Sequence, residues 1–205
     1  MKIVIIDYGV GNIKSIQNQL IKLGYNSSVS SEKTDIINAD KLILPGVGHF
    51  AYGMKTLNEL DLLGTLKKKV IIEKTPILGI CLGMQLFTEW SEEGNVSGLG
   101  WIKGKAVKFT KDPNKRYKIP HMGWNSIKIK KQNKMIRGIK NDSLFYFVHS
   151  FYVECSEDID ILTTTKYISK FASMIQKENI YGTQFHPEKS HENGLQILKN
   201  FAEYA

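Results

Sequence analysis

The first half of the chain alternates short apolar runs with segments in which apolar residues recur every three or four positions. Four runs have the length and composition of buried strands: residues 2–7, 25–29, 41–44 and 76–80. After the first run, helical spacing continues until Gly24 ends it, through Ile13, Ile16, Leu20 and Leu23. Residues 82–90, after the fourth run, are also helical in character. This alternation predicts a parallel sheet covered by helices on both faces.

From Gly94 onward, apolar and polar residues alternate, as in residues 126–130, which predicts antiparallel strands with one solvated face. Later strands are predicted at residues 144–148, 161–165, 171–176 and 180–184. A final helix carries Leu195, Leu198, Phe201 and Ala202. We therefore predict an α/β fold: an open, mainly parallel, doubly wound sheet with helices on both faces and a smaller antiparallel excursion. Without repeats or a linker, residues 1–205 are expected to form one domain.

Composition narrows the functional classes. The 205 residues are 42% hydrophobic and 23% charged, as in ordinary globular proteins, and no apolar run has the length of a membrane span. Two cysteines are too few for a disulfide framework, and the N-terminus leads into a strand without a cleavable apolar segment, so a cytoplasmic location is expected. The net charge of +8 comes from scattered lysines without interleaved aromatic residues, which disfavours nucleic-acid binding.

Cys81 lies in the sequence Gly-Ile-Cys-Leu-Gly, where an apolar strand meets a helix. This spacing is typical of a nucleophile on a tight turn, because glycines allow the flanking backbone to approach closely. The helix N-terminus would favour the thiolate, and the N–H of Leu82 could bind a developing oxyanion. The alternative is an inert buried cysteine after a core strand.

His186 and Glu188 could supply the base and its orienting carboxylate. His186 follows the predicted strand 180–184, so it would lie at a strand end, as Cys81 does. Pro187 stiffens the link to Glu188, whose carboxylate can reach back to the imidazole. A histidine at a strand end is more often structural, and the combination with Cys81 is what favours catalysis.

A glycine-rich loop, residues 45–50, follows the third strand. Glycines on both sides of Val47 would let a peptide plane turn, which suits an oxyanion hole that Val47 and Gly48 could switch on and off. An ordinary turn is the simpler interpretation. A phosphate-binding loop is weaker, because the glycine spacing and lysine of nucleotide motifs are missing.

Together these motifs resemble the class I glutamine amidotransferases, and the resemblance covers nearly the whole chain. It implies that Cys81 attacks the side-chain amide of glutamine, that His186 moves protons and that Glu188 orients His186. It also implies that ammonia passes to a partner enzyme and that no metal or organic cofactor is needed. By the same resemblance, the glutamine-binding residues are Gly48, Gln85, Glu93, Ser150 and Phe151. For Glu93, an exposed charge without a role is the alternative.

Within the family, five segments resemble the glutaminase subunits of imidazole glycerol phosphate synthases: 45–50, 79–85, 120–125, 147–151 and 186–190. The resemblance implies a heterodimer with a (β/α)8 cyclase subunit of the histidine pathway. It places six residues on the face toward that partner: His121, Met122, Trp124, Asn125, Tyr146 and Lys189. Trp124 has a core position as its alternative, and His149 fits a core or a pocket role equally. His191 lies near His186, but no acidic or cysteine ligands accompany them, so no metal site is expected.

Three other functions compete with this one. A paralogous subunit that supplies ammonia to another synthase, such as one that amidinates a surface sugar, would carry the same triad. A non-enzymatic module of the same fold would lack the nucleophile or the base. A stand-alone cysteine hydrolase would turn over without a partner.

Overall fold

The computed structural model describes residues 1–110 and 117–205. The α-helices of this part of the chain are α1 Ile13–Lys22, α2 Lys33–Ile37, α3 Phe50–Glu59, α4 Leu63–Lys67, α5 Leu82–Leu86 and α6 His191–Tyr204. A π-helical turn, Lys68–Ile72, extends α4. No helix in the described ranges is both long and apolar enough to cross a membrane.

Fourteen strands form three sheets within residues 1–110 and 117–205. The strands of the first half are β1 Ile3–Ile6, β2 Ser27–Ser30, β3 Lys41–Leu44, β4 Ile77–Ile80, β5 Thr88–Ser91, β6 Val96–Ser97 and β7 Ile102–Lys108. Those of the second half are β8 His121–Ser126, β9 Lys128–Ile129, β10 Leu144–His149, β11 Phe151–Cys155, β12 Ile161–Lys166, β13 Lys170–Lys177 and β14 Ile180–Thr183.

The main sheet has eight strands in the order β2-β1-β3-β4-β14-β13-β12-β9. The first five run parallel, and the last three pair antiparallel. Parallel strands end at one edge, so the segments that follow β1, β3, β4 and β14 converge there. Cys81, the glycine-rich loop and His186 are three of these segments.

Two apolar clusters cover the two faces of the main sheet, and alternation along β1 supplies both. Val4 and Ile6 face helices α2 to α5, whereas Ile3 and Ile5 face α1 and α6. These strands are buried along their whole length, which explains their unbroken apolar sequences. The predicted doubly wound α/β fold is confirmed.

The antiparallel excursion contains two smaller sheets, β10-β8 and β11-β7-β5-β6. Here one prediction was wrong: the helix expected over 82–90 ends at Leu86, and strand β5 begins at Thr88. The hydroxyl of Thr88 donates to the Gln85 carbonyl at 2.8 Å, which satisfies an acceptor at the helix end. Pairing with β7 then continues the chain as a strand. Helix α3, which the sequence reading did not identify, packs on α5.

Gly83 shows why the turn around Cys81 needs glycine. A Cβ at Gly83 would lie 1.9 Å from the carbonyl oxygen of Leu44, and one at Gly79 would lie 2.7 Å from the carbonyl carbon of Gly83. Strands β3 and β4 and helix α5 therefore meet through bare backbone at this point.

We expect Gly83→Ala to lower the free energy of unfolding by about 3 kcal/mol or more, since backbone must move to admit the methyl group. Urea denaturation measures the change. The control is Gly64→Ala in helix α4, where a Cβ meets nothing within 4 Å. That variant should gain about 0.5–1 kcal/mol from helix propensity. Equal stability of the two variants would contradict the close approach at Gly83.

Candidate active site

Cys81 lies between β4 and α5 in a strained conformation, with φ 53° and ψ −106°. A non-glycine residue persists at such angles only where its surroundings hold it. Its backbone N–H donates to the Thr183 carbonyl at 2.7 Å, which ties the turn to β14. The thiol side chain is free and almost fully buried. Because α5 has only five residues, the local N–H groups matter more at Cys81 than a long helix dipole.

His186 and Glu188 form a buried pair beyond the end of β14. Nδ1 of His186 lies 2.9 Å from Oε1 of Glu188, and Nε2 has no hydrogen-bond partner within the described residues. Burial lowers the pKa of His186, but the charges of Cys81 and Glu188 and the hydrogen bond to Glu188 outweigh it and raise that pKa to about 10. At neutral pH the imidazole is therefore positively charged, with Glu188 on one side and Cys81 near enough to interact.

The glycine-rich loop lies against the turn that carries Cys81. The phenol of the buried Tyr8 donates to the Pro45 carbonyl at 2.6 Å and fixes the start of the loop. The carbonyl of Gly46 accepts from the N–H of Leu82 at 3.4 Å. Val47 and Gly48 follow in exposed positions, and Gly48 has φ +107°, a conformation that favours glycine. The Leu82 donor is thus engaged by the loop in this conformation.

A cavity of about 290 Å³ opens above Cys81. This volume is at the small end of the ~300–1,000 Å³ typical of small-molecule pockets. Every predicted oxyanion-hole and glutamine-binding residue lines it, together with Cys81 and three further residues: Val47, Gly48, Cys81, Leu82, Gln85, Glu93, Pro120, Val148, His149, Ser150 and Phe151. The structure therefore brings the predicted oxyanion-hole and glutamine-binding residues together around Cys81, whereas His186 and Glu188 are not among the lining residues.

Gln85 and Glu93 supply polar side chains to the cavity wall. The buried amide Nε2 of Gln85 donates to the Phe151 carbonyl at 2.9 Å. Glu93 is half-buried, and its Oε2 accepts from the backbone N–H of Phe50 at 2.7 Å, at the start of α3. The interpretation of Glu93 as an exposed charge is therefore wrong. Its position fits a carboxylate that faces a cationic ligand group.

His149 has both of the roles left open for it: it is buried, and it lines the cavity. Its Nδ1 lies 2.8 Å from the Phe151 carbonyl, and its Nε2 lies 3.0 Å from Nδ1 of His121. Burial lowers the pKa of His121 to about 4, and burial with the nearby charges of His121 and His186 lowers that of His149 to about 3. Both imidazoles are neutral at physiological pH.

This neutral pair predicts acid sensitivity. Unfolded histidines take up protons below about pH 6.5, whereas these two stay neutral in the folded state down to about pH 4 and 3. The free energy of unfolding should therefore fall as pH drops below 6.5, by up to about 1.4 kcal/mol per pH unit for each histidine. Urea titrations at several pH values should show a smaller slope for His149→Asn. His191→Asn, at an exposed position, should keep the native slope; equal slopes in both variants would contradict this prediction.

Five of the six residues predicted for the partner face lie on the β8-β10 ladder, on both of its faces, and the sixth, Lys189, lies in the turn Pro187–Lys189. Met122 is 62% exposed and Trp124 is 46% exposed, so Trp124 is not a core residue. Tyr146 pairs with Trp124 across the ladder, and Nζ of Lys189 lies 5.9 Å from the Tyr146 ring centre. His121 faces inward and is only 2% exposed, so direct contact with a partner is not available to it in this conformation.

Asn125 is half-buried and lies on the same face of β8 as the buried His121, which it contacts. Its Nδ2 lies 3.2 Å from Nε2 of His121 and donates to the Lys166 carbonyl at 3.1 Å. Alternation along a strand accounts for the difference from Trp124, because neighbouring side chains point to opposite faces.

Three residues near the triad were not identified from the sequence: Gln184, Asn12 and Tyr8. Gln184 contacts Cys81, Asn12 donates to Glu188 Oε1 at 3.4 Å, and Tyr8 holds the glycine-rich loop. Only their positions after β14 and β1 could have indicated them. No cluster of three or more potential metal ligands occurs within residues 1–110 and 117–205.

The sequence and this site define the class of protein. The model of the class I glutamine amidotransferase family matches residues 4–204, and the chain belongs to that family. Solved structures with the same fold include Thermotoga maritima PurLQS, with a TM-score of 0.74 at 16% identity over 99% of this chain and 98% of that one. The glutaminase domain of Trypanosoma brucei CTPS has a TM-score of 0.68 at 16% identity over 100% of this chain and 95% of that one.

Closer relatives carry a more specific name. The chain is 53% identical to "Imidazole glycerol phosphate synthase subunit HisH 2" of Methanococcus maripaludis over 99% of this chain and 100% of that protein. It is 50% identical to "Imidazole glycerol phosphate synthase subunit HisH 1" of Campylobacter jejuni over 98% of each chain. At these identities the similarity extends well beyond the fold.

Proposed function

We propose that this chain is the glutaminase subunit of an imidazole glycerol phosphate synthase, with Cys81, His186 and Glu188 as its catalytic triad. The observation that carries the proposal is the single cavity in which Cys81 meets the glycine-rich loop, Gln85 and Glu93. The relatives named as subunits of that synthase, at up to 53% identity, support the choice of pathway.

In the proposed reaction, the Cys81 thiolate attacks the amide carbon of glutamine, and the carbonyl oxygen becomes an oxyanion. The charged His186 gives its Nε2 proton to the amide nitrogen, the C–N bond breaks, and ammonia leaves. Water then attacks the thioester while the neutral His186 takes its proton, the C–S bond breaks, and glutamate, the Cys81 thiolate and the charged His186 result. Glu188 holds the imidazole through Nδ1 during both steps.

The glycine-rich loop supports a gated oxyanion hole. The N–H of Leu82 already donates to the Gly46 carbonyl at 3.4 Å, so it is not free to bind an oxyanion in this conformation. Loss of one oxyanion donor typically lowers turnover by about 10²–10³-fold. A rearrangement of Val47 and Gly48 that frees this donor would switch the enzyme on without movement of the triad.

The partner we propose is a (β/α)8 cyclase that forms a heterodimer with this chain and receives its ammonia. It would convert a phosphorylated ribulosyl intermediate to imidazole glycerol phosphate and an aminoimidazole carboxamide ribotide. The exposed Met122 and Trp124 and the half-buried Tyr146 form an apolar surface on the β8-β10 ladder, beside the cavity-lining Val148. Aromatic residues of this kind are frequent hot spots of protein interfaces.

Titration with the cyclase tests this surface and the function together. We expect slow glutamine hydrolysis by the chain alone and a strong increase on addition of the cyclase. For Trp124→Ala, half-maximal activation should require about 30-fold more cyclase, the loss expected of an interface hot spot. Ile72→Ala is the control, because Ile72 is 70% exposed on a different part of the chain. Full turnover without cyclase would contradict the proposal and favour a stand-alone hydrolase.

A paralogous subunit that serves another synthase is the second candidate, because the triad and cavity suit any ammonia acceptor. The cyclase titration separates the two, since a paralogue would not respond to the histidine-pathway cyclase. We further propose that residues 1–205 form one domain, which the family match over 4–204 supports. The two free cysteines support a location in the cytoplasm.

A further inference from the structure

Gln184 is a fully buried residue that the triad leaves without a role. It follows β14 and precedes His186 by two positions. Its Nε2 lies 3.6 Å from the sulfur of Cys81, and its Oε1 lies 3.1 Å from Nε2 of Gln85. An amide buried without hydrogen-bond partners destabilises the folded state, so the orientation of the Gln184 amide is determined by the partners around it.

One backbone atom determines that direction. The carbonyl oxygen of Phe151 only accepts hydrogen bonds, so Gln85 must turn its Nε2 toward it, at 2.9 Å. The same nitrogen of Gln85 faces Gln184, where only Oε1 can accept from it. Gln184 consequently turns its own N–H toward the sulfur of Cys81.

The Phe151 carbonyl also accepts a hydrogen bond from a second side chain. His149 donates from Nδ1 to the same oxygen at 2.8 Å, and His121 donates from Nδ1 to Nε2 of His149 at 3.0 Å. Because each neutral imidazole has one donor and one acceptor nitrogen, the whole series has a single consistent direction. The carbonyl therefore keeps two donors, and neither glutamine amide can reverse without loss of a buried hydrogen bond.

We propose that Gln184 is a further catalytic residue whose N–H donates to the sulfur of Cys81 and stabilises the attacking thiolate. The inference rests on the proposed function, in which Cys81 is the nucleophile. Sγ of Cys81 has a second polar neighbour, the Val148 carbonyl at 3.8 Å, which accepts from a thiol and repels a thiolate. Gln184 offsets that repulsion, because hydrogen bonds to charged atoms are stronger than those between neutral groups.

The same series of hydrogen bonds determines which atom of the Gln85 amide is free to bind the substrate. Both of its N–H groups are engaged, one by the Phe151 carbonyl and one by Gln184. Its Oε1 is the polar atom left for a ligand, so Gln85 accepts from an N–H donor such as the α-ammonium group of an amino acid. One pair of amides thus orients the nucleophile and one wall of the cavity.

The test is the pH profile of Cys81 alkylation by iodoacetamide in the full chain, followed by mass spectrometry of the Cys81 peptide. Gln184→Glu keeps an oxygen that accepts from Gln85 but replaces the N–H donor with a carboxylate oxygen. We expect the midpoint of the profile to rise by about one pH unit or more, the shift expected for loss of a hydrogen bond to a charged group. Gln184→Met, which removes the donor without adding charge, should give a smaller rise.

Gln176→Glu is the matched control, because it makes the same charge change on β13, where the side chain bonds Glu178 and Asn133 instead of Cys81. Its midpoint should equal that of the native chain. The inference is overturned if both Gln184 variants, folded by thermal melting, keep the native midpoint. Failure of the proposed function would appear separately, as absence of glutaminase activity in the native chain with the cyclase present.

Discussion

Replacement of Cys81 by serine should abolish synthesis that depends on glutamine, by about 10⁴-fold or more, while the complex still uses added ammonium salt. In the proposed function Cys81 acts only in the release of ammonia from glutamine, and the cyclase performs the later steps, for which added ammonium salt can supply the nitrogen. Serine is close in size to cysteine, so the buried turn around Gly79 and Gly83 should keep its packing. Product formation from each nitrogen source is the measurement.

The second cysteine provides the control for this experiment. Cys155 is also free, but burial and nearby carboxylates raise its pKa to about 12, so it is a poor nucleophile. Cys155→Ser should leave glutamine-dependent synthesis near the native rate. Near-normal activity of Cys81→Ser with glutamine would remove Cys81 from the mechanism.

Substitution of His186 by asparagine should be the more damaging of two changes in the buried pair, and Glu188→Gln the less damaging. In the proposed mechanism His186 transfers protons itself, a contribution of about 10²–10⁴-fold in general acid–base catalysis. Glu188 acts through the hydrogen bond of 2.9 Å and the negative charge that help raise the pKa of His186. We expect at least about a tenfold difference in glutaminase turnover with the cyclase present.

The pH dependence separates orientation from proton transfer. Without the Glu188 charge, the pKa of His186 should fall, and because the protonated His186 is the active form, the alkaline limb of the activity profile of Glu188→Gln should move to lower pH. Asn12, which also contacts Glu188, provides a milder variant: Asn12→Ala should reduce turnover less than Glu188→Gln. If Glu188→Gln is the more damaging change in a folded protein, the assigned roles are wrong.

The parallel half of the fold could be predicted from sequence because its strands are buried on both faces and read as unbroken apolar runs. The strand Lys41–Leu44 was predicted with its observed bounds. Strand β5 was missed because Thr88–Ser91 follows helix α5 after a single residue, and its pairing with β6 and β7 makes it a strand. Such pairing depends on residues distant in sequence, which local patterns do not reveal.

The parts of the candidate site that could be predicted are those whose residues lie close together in sequence, as in the turn around Cys81 and the pair His186 and Glu188. The contacts of Gln184 could not, because they depend on a carbonyl at Phe151 and an amide at Gln85 from other elements. For His121 the motif located the right segment but not the right face. The resemblance placed it toward the partner, whereas the alternation of side chains along β8 buries it.

The central claim is tested most directly by following the amide nitrogen of glutamine through the reaction. The chain and the histidine-pathway (β/α)8 cyclase would be supplied with glutamine labelled with ¹⁵N at the amide and with the phosphorylated ribulosyl substrate, and the products analysed by mass spectrometry. The account predicts one ¹⁵N atom in imidazole glycerol phosphate for each glutamate released, and none with Cys81→Ser. Release of glutamate without labelled imidazole glycerol phosphate, or no consumption of glutamine, would contradict it.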